Sequence, residues 1–183
     1  MSFRGGVQRV EKIFHDYRIC FGNRRFLFSA IEGFILLAIS MVITNYAIIY
    51  TGTSASNSVT DLILSNTRVY DVDGIFVYGA IAMVVFAILV ILTKPRSIPF
   101  VLKSVALFYI IRSGFVVLTH ISPYPEHVAI ASSYFTTSVF FKSFFTGDDL
   151  FFSGHTGLPF LLALIFWDSL PLRIIFIATS ILL

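Results

Sequence analysis

The chain has 183 residues, 57% apolar and 13% charged, whereas a soluble domain is nearer about 45–50% apolar and roughly 25% charged. That excess cannot be hidden in one small core, so a soluble enzyme, a disordered segment and a disulfide scaffold are excluded. The net charge of +3 raises the question of nucleic acid, but its placement points to a polytopic membrane protein.

Six of the thirteen basic residues (Arg4, Arg9, Lys12, Arg18, Arg24 and Arg25) fall in residues 1–25, ahead of the first apolar run. Beside a membrane span, such a cluster reports orientation and anionic headgroups rather than a nucleic-acid partner. Cys20 is the single cysteine, so no intrachain disulfide is possible. The apolar run that follows is about 25 residues long, too long for the core of a cleavable signal peptide.

A bilayer core needs roughly 20 helical residues. Phe26–Tyr50, Ile75–Leu92 and Ile98–Thr119 meet that requirement, and Ser153–Trp167 is a shorter, strongly apolar fourth span. A fifth runs from Leu170 to Leu183 and reaches only about 21 Å. The expected fold is therefore all-α: about five membrane helices of six, residues 1–25 forming a cytoplasmic basic segment and residues 26–183 a transmembrane domain incomplete at its C-terminus. Loop charges set the orientation. The loop Thr51–Gly74 holds Asp61, Asp71 and Asp73 against Arg68, and Ile121–Asp148 holds Glu126 and Asp148 against Lys142. The short loop between spans two and three carries Lys94 and Arg96. The N-terminus is expected in the cytoplasm, with both acidic loops outside it.

Polar groups within spans are costly and mark either structure or function. Glu32 is expected to reach the cytoplasmic interface or to pair with Arg24, Arg25 or Arg96. Thr44 and Asn45 suit interhelical hydrogen bonds. Arg112 lies about 12 Å below the outer end of its helix; it either snorkels, pairs with an acid such as Asp149, or binds phosphate in an outward cavity.

The richest tract is Gly147-Asp148-Asp149-Leu150-Phe151-Phe152-Ser153-Gly154-His155-Thr156-Gly157, at the outer entrance to the fourth span. Ser153 is a good N-cap type, a helix start offers amides and a positive dipole end, and glycine permits close approach to the backbone. These make a phosphate cradle with His155 projecting into it, able to protonate a departing alcohol; the alternative is an amphipathic interfacial histidine. No zinc-protease motif, nucleophile elbow or Walker loop occurs, and neither a metal nor a cofactor is expected.

Ser153-Gly154-His155-Thr156, preceded by Asp149, resembles the sphingomyelin synthase-like branch of the type-2 phosphatidic acid phosphatase superfamily. Tyr109-Ile110-Ile111-Arg112 with Thr119-His120-Ile121-Ser122-Pro123-Tyr124-Pro125 resembles that branch's third span and the turn after it, so the likeness covers roughly residues 98–167. The resemblance implies a phosphotransferase or phosphatase acting on membrane phospholipids or sphingolipids. His155 would be the general acid, Ser153 and Gly154 would sit in the phosphate cradle, and Asp149 would take the family's aspartate place.

The family's nucleophile, a second histidine oriented by an aspartate four residues later, has no counterpart at His15, His120, His127 or His155. Lys103 is followed seven residues later by Ile110 rather than arginine, Phe152 stands where phosphatases have proline, and Asp148 replaces a usual glycine. Arg112 is the substitute phosphate ligand in this reading. The expectation is an incomplete and inactive enzyme, with a lipid-binding scaffold as the alternative and a transporter ranked behind both. The headgroup is not encoded in any residue pattern.

Overall fold

Long apolar runs in a chain with few internal prolines favour helices, because a helix satisfies its own backbone groups. The computed structural model describes residues 3–53, 73–119 and 153–183, except for the side chains of 3–7, 9, 52, 53 and 73–77. Among these residues the protein is all-helical: α1 (Phe3–Gly22), α2 (Arg24–Thr53), α3 (Asp73–Thr93), α4 (Ile98–Thr119), α5 (Gly154–Ile165) and α6 (Leu170–Leu182), with a 3₁₀ turn at Pro95–Ser97. Residues 1–25, expected only as a basic segment, are thus mostly helical. Asp149 and most of both acidic loops lie outside the described residues.

Among the described residues two helices are long and apolar enough to cross a membrane, one within Arg24–Thr51 and one within Pro95–Thr119. Their most apolar stretches are only 17% and 33% buried, unlike a core helix of a soluble protein. Leu27, Phe28, Ile31, Phe34, Ile35 and Ile39 all turn outward along α2. An apolar surface of that extent needs a nonaqueous neighbour.

α2 and α4 run parallel and closely packed. On α2 the buried positions Ala30, Gly33, Ser40, Thr44 and Ala47 fall three, four or seven residues apart, the spacing of a helix seam. They are small, which lets two backbones approach. A methyl group added at Gly33 would stand 2.9 Å from Leu102 Cβ. Eleven residues further along α2, Thr44 Oγ1 and Ser113 Oγ share a 2.9 Å hydrogen bond, so both helices advance together. Glu32, expected to reach the cytoplasmic interface or to pair with Arg24, Arg25 or Arg96, accepts a hydrogen bond from Lys103 Nζ at 2.6 Å across this seam, a partner outside those three arginines. The parallel register is the cause: it places position 103 of α4, not the α3–α4 turn, beside position 32.

α3 and α5 meet a second face of α4, about 100° around the helix from the α2 seam, and α6 packs on α3 and α5. Met83, Ala87, Val90, Val101, Leu162, Ala163, Phe166 and Phe176 form their shared core. Phe176 is fully buried and packs on Phe86 and Phe166, with ring centroids 5.5 and 6.2 Å away. Ser180 Oγ donates to Thr156 O at 2.8 Å, so α6 returns antiparallel beside α5. Gly79 lies against Leu183 while Phe86 meets Phe176, which makes α3 antiparallel to α6. Helices α2 to α6 therefore alternate in direction.

Candidate functional site

Val101 and Arg112 are eleven residues apart, about three turns, and so lie on one face of α4. Val101 is held in the core with Leu162 and Ala163 of α5. Because α5 runs the other way, its first turn arrives beside Arg112. The buried guanidinium (7% exposed) lies directly against the start of α5: a methyl group added at Gly154 would be 3.4 Å from Arg112 Nε, 3.6 Å from Cζ and 3.8 Å from Nη2. Those are van der Waals distances, so a Cβ there would rest on the guanidinium and stand between it and the space beside the helix start.

The first turn of α5 is held by the cap that the sequence predicts. Ser153 has extended backbone, and its Oγ accepts hydrogen bonds from Thr156 N and Thr156 Oγ1, both at 3.3 Å. Its carbonyl accepts from Gly157 N at 3.0 Å. Pro159, inside the helix, has no N–H to give the carbonyl of His155, so the cap carries more of the work of holding this turn. The amides of Gly154 and His155 precede any helical carbonyl partner and lie at the positive end of the helix. Ser153 Oγ, accepting twice, still has its own proton to donate.

His155 is half-buried in the same turn, close enough to Arg112 for the two to interact electrostatically. Four expected site residues, Arg112, Ser153, Gly154 and His155, are therefore brought together. The fifth, Asp149, lies outside the described residues, and so do His120 and His127. Among the described residues no three of His, Cys, Asp and Glu gather as a metal site would require.

Two residues to which the sequence assigns no part in the site contribute to it. Tyr109, buried one turn before Arg112, interacts electrostatically with it; the i, i+3 spacing was the available signal. Ser180 ties α6 to the first turn of α5, a contact between segments that no local pattern announces.

No family model, curated protein or solved structure matches the chain.

What the arrangement offers chemically is a fixed cation, a capped helix start and an imidazole within one turn of it. A cation and a positive helix end both favour an anion. A planar guanidinium suits two oxygens of one phosphate.

Proposed function

We propose that the chain is a multi-pass membrane protein that binds the phosphate ester of a phospholipid or sphingolipid at the Arg112–Ser153–Gly154–His155 site, with the chemistry of the sphingomyelin synthase-like branch. The observation that carries this reading is the guanidinium of Arg112 seated against the backbone of Gly154. An intramembrane arginine needs an anion or water, and a capped helix start beside it supplies the second half of an anion site.

Lys94, Arg96 and Arg173 share the bundle end that α1 occupies: Arg96 bonds Asp16 of α1 at 2.8 Å, Lys94 lies over Phe166, and Arg173 over Trp167. Arg112 and His155 lie toward the other end. By the positive-inside rule the basic end is cytoplasmic and the site faces outward, with α2 to α6 as five successive spans.

In this reading Arg112 and the first amides of α5 hold the phosphate oxygens, and Ser153 donates through Oγ. When the phosphorus–oxygen bond to the leaving alcohol breaks, the electron pair goes to that oxygen and the His155 proton joins it. The attacking group must come from elsewhere, since no histidine here is followed by aspartate at the fourth position. These 183 residues are therefore expected to bind the lipid without turning it over, and that same absence favours the scaffold as the second reading.

A photoactivatable phospholipid offered to the reconstituted chain tests the site. Labelling should be competed by excess phospholipid and should fall about 10- to 100-fold in Arg112→Ala, the worth of a charge-assisted contact. Arg112→Ala labelled as well as the unaltered chain overturns the proposal. Release of labelled headgroup by the unaltered chain would overturn the assignment of the nucleophile and exclude the scaffold.

A further inference from the structure

α1 has three distinct sides. One packs on the bundle: Cys20 is buried, Tyr17 Oη donates to Leu92 O at 3.0 Å, and Asp16 holds Arg96. A second carries Lys12, His15 and Arg18, all exposed, beside Glu11. The third is an apolar stripe. At 100° per residue Val10, Phe14 and Phe21 fall within about 40° of one another, yet Phe14 is 71% and Val10 51% exposed. Nothing in the described fold covers them.

The stripe does not stop at the helix end. Tyr17 stacks on Phe21 at 5.7 Å, and Phe21 meets the edge of Phe26 at 5.7 Å. That continues onto Leu27 and Phe28, which face outward on α2. Exposed cations flank it: Lys12 and Arg18 on α1, then Arg24 and Arg25 where α2 begins. A stripe continuous with the outward surface of a spanning helix, bordered by cations, matches a charged lipid interface better than a protein groove.

We propose that α1 is an interfacial anchor lying in the headgroup layer of an anionic leaflet, with Val10, Phe14 and Phe21 against the acyl boundary and Lys12 and Arg18 at the phosphates. The contacts of Asp16 and Tyr17 set its roll about its own axis, so the stripe faces the lipid before any lipid binds. This rests on the reading that α2 and α4 cross a bilayer, and the test keeps the two apart.

The full chain is reconstituted with Phe14→Trp in a Trp167→Phe background, leaving a single indole, in phosphatidylcholine vesicles with or without phosphatidylserine. With phosphatidylserine, brominated lipid should quench the indole by about half while aqueous iodide has little effect. Without phosphatidylserine, or with Lys12→Glu and Arg18→Glu together, iodide quenching should rise about twofold or more. An indole open to iodide in both vesicle types overturns the proposal. One shielded from iodide and from brominated lipid alike also overturns it, since that marks a protein partner or a second copy. Equal insertion in both vesicle types overturns the anionic requirement. Protein released from vesicles by alkaline carbonate overturns the membrane reading and this one together.

Discussion

The two faces of α4 are held by different physics. Against α2 the contact is made of small residues, with Gly33 admitting Leu102 and a hydroxyl pair at Thr44 and Ser113. Against α3 and α5, backed by α6, it is made of volume, with Phe86, Phe166 and Phe176 filling the space. A small-residue seam holds helix register through backbone proximity and directional bonds, whereas an aromatic core holds position through packing that tolerates some repacking. Arg112 belongs to the second face, but its height along the helix axis is tied to the first, because Ser113 is the next residue.

The largest expected effect is on the aromatic side. Phe176→Ala should cost about 3–5 kcal/mol, read as a lower unfolding midpoint in detergent, because the cavity would open between three helices. A much smaller loss would mean that α6 repacks and that this core is looser than its burial implies. Gly33→Ala comes next, at about 1–3 kcal/mol, since a Cβ there meets Leu102 Cβ at 2.9 Å. It should also weaken lipid labelling at Arg112 by shifting α4, an outcome that Gly22→Ala, with open space around it, should not produce. The smallest effect is the coupling between Thr44 and Ser113. A double-mutant cycle with Thr44→Val and Ser113→Ala should give about 0.6 kcal/mol. If that coupling changed when Phe176 was also removed, the two faces would not be independent.

Much of this was legible in the sequence, for identifiable reasons. The expected span Ile98–Thr119 coincides with α4, and the expected spans for α2, α3, α5 and α6 fall within a few residues of the helices, because apolar runs bounded by polar residues leave little choice. The Ser153 cap was readable from residue type and position alone. Helix α1 differs from the expected basic segment: the spacing of Val10, Phe14, Tyr17 and Phe21 marks an amphipathic helix beneath its basic charge. Arg24, Arg25 and Arg96 are the cations near Glu32 in sequence or at the turn, yet its partner is Lys103. Which spans lie side by side, and in which register, is a tertiary property, so Lys103 could not be singled out by spacing. The approach of Arg112 to Gly154 has the same origin, for it follows from α4 and α5 running in opposite directions past a common core.

The parallel pairing of α2 and α4 has a temporal side. Thr44 and Ser113 are separated by 69 residues, and at about 5–20 residues per second a ribosome takes roughly 3 to 14 seconds to make that much chain. For that interval α2 has no α4 to meet its polar seam. Its hydroxyls are prepared for the delay: Ser40 Oγ donates to Leu37 O at 2.8 Å and Thr44 Oγ1 to Ser40 O at 2.8 Å. The nascent helix therefore satisfies those hydroxyl protons from its own backbone until its partner emerges.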